Sequence, residues 1–279
     1  MGTYAPPVST LLTLGRPEDK EDRADYKPYG IGPGHIPELI RLMQDEEFDH
    51  LDEPEVYAPI HAWRALGQLR AEAAIEPMLD VIATNAAKDE DWSDWVIEEV
   101  PVMLALIGPV AIHATVRRLE RRQPGEKVVS DYTHVLEAVA KRHPEVRQEV
   151  IGHITDVLET AATNDAKVNG LVICNLLDLD AVEAWPAIEK AYATGNVNTF
   201  LAGKADAVKY DLGLGPKPPS RDRLTIEAFE PVDSTDEDEE EVVAQNPVAP
   251  GPTPKERAEA RAKQRKAEKK KRKQRHKGK

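Results

Sequence analysis

The sequence predicts an all-α fold, a solenoid of about five helical hairpins that gives way to a linker and a basic tail. Three observations carry this expectation: two apolar templates that alternate along the chain, a spacing of 35 to 39 residues between their copies, and a sharp change of composition after Leu214.

The first template sets apolar residues at i, i+3, i+4 and i+7, which share one face of a helix. It is met at Ile36, Leu39, Ile40 and Met43, and again at Ile75, Met78, Leu79 and Ile82. It recurs at Ile112, Thr115, Val116 and Leu119, and at Val150, His153, Ile154 and Val157. A degraded copy follows at Trp185, Ile188 and Tyr192, with Glu189 at the odd position. The second template, i, i+4, i+7, i+8, i+11, fits Ala58, Ala62, Ala65, Leu66 and Leu69, then Val96, Val100, Met103, Leu104 and Ile107, then Val168, Val172, Asn175, Leu176 and Leu179. Between the last two copies, Asp131, Val135, Ala138, Val139 and Arg142 keep the middle and lose both ends.

Punctuation agrees with this register. Pro33, Pro109 and Pro144 precede or open helices of the first template, where a missing N–H costs little, and Gly108 breaks the chain before one of them. Pro59 lies in a first turn, while Pro101 falls inside a helix and is expected to bend it. No run alternates or clusters as a strand would. A single hairpin leaves too much apolar surface uncovered, so hairpins must stack. Stacking builds a concave face lined by the first-template helices, a surface suited to an extended or convex partner.

The turn stretches "ALGQLRAEAAIEPML" and "ALIGPVAIHATV", the proline inside a helix and the loose small-apolar consensus resemble the HEAT-like repeats named after the phycobilisome lyases, over about residues 32–193. "WRALGQL" imitates the opening of a tetratricopeptide repeat, yet Arg70 stands where an aromatic residue is expected and no other hairpin repeats the pattern. The resemblance implies a right-handed α-solenoid of HEAT-like hairpins over residues 32–214, preceded by an N-terminal segment and partial first hairpin over 1–31. It is nearest in kind to bacterial HEAT-repeat proteins of no assigned activity, and implies packing rather than chemistry. Two HEAT-like families are enzymes, the bilin lyases and the iron-dependent deoxyhypusine hydroxylases. The hydroxylases draw metal ligands from His-Glu dipeptides, and this chain has none.

The remaining residues point away from catalysis. The single cysteine, Cys174, excludes a disulfide framework and a cysteine-based zinc cluster, and its place beside Asn175 and Leu176 reads as a buried or half-buried small hydrophobe. The histidines of the body lack metal spacing and read as surface or second-layer groups. "DEEFDH", residues 45–50, reads as a solvated acidic loop between repeats, "GIGPGH" as a turn delivering the helix at Ile36, and Trp63, Trp92 and Trp95 as packing residues. No catalytic residue, cofactor or metal is expected. No apolar run approaches the roughly 18 residues of a membrane span, and the N-terminus lacks the order of a secretory signal, so the expectation is a cytoplasmic protein.

Charge supplies the candidate sites. Of the net −13, residues 255–279 carry +11 and the preceding 254 residues carry −24. Within the acidic body "TVRRLERR" sets Arg117, Arg118, Arg121 and Arg122 on the polar side of a helix. They are either locally paired with Glu120, Glu98 or Glu99, or a ridge that binds a carboxylate-rich partner. Residues 215–252, with "DSTDEDEEE" and "NPVAPGPTP", read as a disordered acidic and proline-rich linker. Residues 253–279 form a basic tail with a capping box at Thr253 and Glu256 and a cluster at Lys269, Lys270, Lys271, Arg272, Lys273 and Arg275. RNA, DNA, an anionic membrane face or the chain's own acidic run would each satisfy that cluster, because charge release is not sequence-specific. The leading expectation is therefore a non-catalytic scaffold that binds an unidentified protein on its concave face, with a basic arm for electrostatic attachment. A nucleic-acid- or ribosome-associated protein held mainly by the tail is the alternative, and a lyase- or hydroxylase-type enzyme the second alternative.

Overall fold

The computed structural model describes residues 3–17, 25–87, 93–122 and 126–218. Contacts divide the chain into two units, Met1–Ser220 and Arg221–Lys279, and every described residue belongs to the first. The basic tail and all but the first four residues of the expected linker lie outside the described residues.

Among the described residues the regular structure is helical, without a strand. The second-template positions become α2 (Ala58–Gln68), α4 (Ser93–Ile107), α6 (Val128–Arg142) and α8 (Ala166–Asp178). The first-template positions become α1 (Ile36–Met43), α3 (Ile75–Ala87), α5 (Ala111–Glu120), α7 (Arg147–Val157) and α9 (Trp185–Ala193). Two short helices, α10 (Thr199–Ala202) and α11 (Ala205–Asp211), follow. The apolar periodicity sets the buried face directly: Ile75, Met78, Leu79 and Ile82 are all buried, as are Val96, Val100, Met103, Leu104 and Ile107. Pro59 stands in the first turn of α2 and Pro101 inside α4, both as expected.

The two kinds of helix sort into two layers. α2 packs on α4, α4 on α6, α6 on α8 and α8 on α10, while α3 packs on α5 and α5 on α7 in the other layer. From α3 to α8 each helix also meets its chain neighbour, as α3 meets α4 and α5 meets α6. Polar contacts repeat the same geometry. Arg64 to Glu99, His143 to the Ala105 carbonyl, Lys141 to Asp178, Asn175 to Thr133 and Arg147 to Glu183 span 35, 38, 37, 42 and 36 residues, one repeat each.

Two turns have the same geometry. Arg70 and Asp180 both hold a left-handed φ of 51° just past the ends of α2 and α8. In each turn the N–H of the next alanine reaches the carbonyl five residues back, Ala71 to Leu66 and Ala181 to Leu176, which closes a Schellman cap. Close helix approach explains two glycines. A Cβ on Gly67 would lie 3.1 Å from the Met103 Cβ of α4, and one on Gly170 would lie 3.1 Å from the Asn198 carbonyl oxygen just before α10. Three asparagines, Asn164, Asn169 and Asn196, tie the loop after α7 to the loop after α9 through their side-chain amides.

α1 packs on α2, and the N-terminal segment adds to the cover of α2. A 3-10 helix, Val8–Thr13, lies on α2, whose residues Ala58 to Gly67 are buried without interruption. This burial draws polar groups into the core, where they must be satisfied. His61, expected as a surface or second-layer group, is 4% exposed. Its Nε2–H donates to the Gly15 carbonyl at 2.8 Å, so its Nδ1 accepts from the Tyr26 hydroxyl, also at 2.8 Å. Burial keeps that imidazole below its ordinary pKa and hence neutral. One turn on, Arg64 pairs with Glu99 of α4 through both carboxylate oxygens, with side chains 1% and 0% exposed. Burial opposes the Arg64 charge, and the hydrogen bonds to Glu99 outweigh it.

Candidate functional site

The predicted arginines end α5, the helix that follows the Gly108–Pro109 turn. Gly108 takes a φ of 128°, open only to glycine, and this turn aims α5 along α3. On α3, Glu76 and Asp80 are four residues apart and share a face. Arg118 donates to Glu76 from Nε at 3.2 Å and from Nη2 at 2.8 Å, and from Nη2 to Asp80 at 2.7 Å. Arg117 donates from Nη2 to the other Glu76 oxygen at 2.7 Å. The hydrogen bonds from Arg118 hold the Glu76 carboxyl below the usual range. Burial works against the charge of Arg118, and its two carboxylate partners raise its pKa nonetheless.

The four arginines thus divide. Arg117 and Arg118 converge on one pair of carboxylates. Arg122 folds back on its own helix, donating to the Leu119 carbonyl at 2.8 Å, with Thr160 at 3.4 Å. Arg121 is exposed at the end of α5. The partners anticipated for local pairing, Glu98, Glu99 and Glu120, are replaced by Glu76 and Asp80 one repeat earlier. Glu99 is committed to Arg64 inside the α2–α4 seam, and the lateral neighbour of α5 is α3. The arginine side chains of this clamp are 52% and 28% exposed, so each pair is worth only about 0.2–1 kcal/mol.

Asp80 also belongs to a second feature. A cleft of about 260 Å³ opens between the end of α1 and α3, and Met43, Pro59, Trp63, Val81 and Val96 are its apolar lining. Asp45, Glu46, Asp49 and Asp80 line it as well. Asp45 caps the 3-10 helix Glu46–His50 by accepting from the Glu47 N–H, and its other oxygen accepts from the Tyr4 hydroxyl at 2.7 Å. Trp63 is 2% exposed, and its indole N–H points toward Glu99. Neither "DEEFDH" nor Trp63 signals this cleft when read in sequence, because segments between residues 43 and 96 meet only through the packing of α1, α2, α3 and α4.

The glycine-rich turn and the cysteine stand as expected. "GIGPGH" turns through Gly30, with φ 83°, into the 3-10 helix Pro33–His35 ahead of α1. Cys174 is half-buried, 3.7 Å from the Leu201 carbonyl, and burial pushes its thiol pKa up. Trp95 is half-buried, and Trp92 lies outside the described residues, as do Lys269, Lys270, Lys271, Arg272, Lys273 and Arg275. Among the described residues no His, Cys, Asp and Glu side chains gather in threes around a metal position, and no helix is long and apolar enough to cross a membrane.

These features define a helical, repeat-like protein with a charged clamp and a cleft on its first-template side. Residues 32–212 match the family described as "Protein of unknown function (DUF1186)", and the chain belongs to that family. Comparison with curated proteins and with solved structures gives no match.

Proposed function

We propose that this chain is a non-catalytic binding scaffold, a right-handed HEAT-like solenoid whose first-template helices receive a partner protein at Arg117, Arg118, Arg121 and Arg122. The observation that supports it is the clamp on α3. Glu76 and Asp80 hold Arg117 and Arg118 in place while engaging one nitrogen of the former and two of the latter. A guanidinium has five N–H donors, so donors remain for an incoming carboxylate, and their arms are already ordered. With Arg121 and Arg122 the group is a positive island in a body where residues 1–214 carry −17. The partner is a protein with a carboxylate-rich surface, and the basic arm adds attachment that needs no defined sequence.

Arg121 is the residue to test, because reversing Arg118 would set like charges against Glu76 and Asp80 and disturb the α3–α5 contact. The Arg121→Glu chain is expected to melt within about 2 °C of the parent, since an exposed substitution shifts stability by at most about 0.5 kcal/mol. Crosslinking from α5 in cells, followed by mass spectrometry, should recover a defined protein from the parent and lose it from the variant. An unchanged crosslink profile would remove the arginines from the site.

A further inference from the structure

We propose that the cleft between α1 and α3 binds an organic cation, an ammonium or guanidinium group carried on an aliphatic stem. This does not rest on the arginines being a partner site. The lining joins the apolar Met43, Pro59, Trp63, Val81 and Val96 to the carboxylates of Asp45, Glu46, Asp49 and Asp80, and no Lys, Arg or His stands among the described lining residues. An alkyl stem lies favourably against such apolar side chains, and a cationic head gains from the carboxylates. Three of the carboxylates come from the turn at Asp45–Asp49 and the fourth from α3, and no metal-binding group of three forms among the described residues. Such a lining matches an N–H cation on an apolar stem, and it does not match a bare divalent ion, which needs about six to eight oxygens gathered around it. At about 260 Å³ the space holds far more than the single water that roughly 10–15 Å³ would admit. Asp45 and Asp80 already accept from Tyr4 and Arg118, which orients them, and a carboxylate retains further lone pairs for an N–H donor.

The test is calorimetric titration of the full chain at about 0.15 M salt, where long-range attraction between exposed charges is largely screened. The probes are spermidine and agmatine as free amines, and N-acetyl-hexalysine as a protein-borne source of the same group. One saturable site is expected. Thr84→Trp, at an exposed position on the cleft rim, should block it without altering charge. Asp45→Asn combined with Asp49→Asn should weaken binding about tenfold or more, because each change removes a charged acceptor from the cleft. The exposed pair Glu145→Gln with Glu149→Gln, away from the cleft, should change nothing. Loss of free-amine binding in the cleft variants assigns a small-molecule source, and loss of hexalysine binding alone assigns a side-chain source; either sustains the proposal. Should Thr84→Trp melt early, the asparagine pair decides. Binding that ignores the cleft variants, or a parent chain with only several equal weak sites, overturns it.

Discussion

Asp131 enters α6 in its first turn, at the position where its sister helices carry Ala58, Val96 and Val168. Burial there raises its pKa from the ordinary 3.8 to about 6, against the pull of His134 and Lys167. Between those values the folded state keeps a proton that the unfolded chain has released. Its contribution to stability therefore falls as pH rises through about 6, and the ionised form is a net cost above it. Asp131→Asn should stabilise the protein at pH 7.5 by about 1–3 kcal/mol, and the gain should vanish near pH 4, where the folded parent is protonated. Thermal melts of both chains across that range check the sign. His61 acts in the opposite sense. Its lowered pKa leaves the unfolded chain the readier to bind a proton below about 6.5, so stability falls on acidification. Comparing variant and parent at each pH cancels that background.

At the scale of elements, glycine separates close helix approach from mere exposure. Gly67 lies where α2 and α4 come nearest, and Met103 would meet an added methyl group. Gly67→Ala should cost about 1–2 kcal/mol, as crowding at the seam exceeds the helix propensity gained. Gly152 sits exposed inside α7, where a methyl group in place of its hydrogen would meet nothing within 4 Å, so Gly152→Ala should add about 0.5–1 kcal/mol. Denaturant midpoints of opposite sign would establish both the seam and the exposed face. Equal shifts would mean that α2 and α4 are not in this register.

For the whole molecule, the dominant asymmetry is electrostatic, a body and linker at −24 joined to a tail at +11. The two attachments proposed for it separate by salt. Binding of duplex RNA through Lys269, Lys270, Lys271, Arg272, Lys273 and Arg275 would release counterions and weaken by orders of magnitude between about 50 and 200 mM salt. Removal of residues 253–279 should abolish it. Partner capture at Arg121 should survive both changes, because a fitted interface depends less on screening. RNA binding that persists without the tail would put the nucleic-acid surface on the body instead.

The period of the apolar residues determined the helices, their two kinds and their buried faces, because burial along a helix follows local spacing. The copies beginning at Ile36, Ile75 and Trp185 begin α1, α3 and α9. Arg117 and Arg118 were legible as exposed charge for the same reason. Tertiary structure alone decided what they touch, since Glu76 and Asp80 lie 38 to 42 residues away and only lateral stacking brings α5 against α3. It likewise decided that His61 and Arg64 are buried, because the cover over α2 comes from the segment around Gly15 and Tyr26, which carries no repeat to betray it. The cleft belongs to the same class: Asp45, Glu46 and Asp49 are neighbours in one turn, but Asp80, Trp63 and Val96 join them only when the helices pack, and no local pattern encodes that meeting.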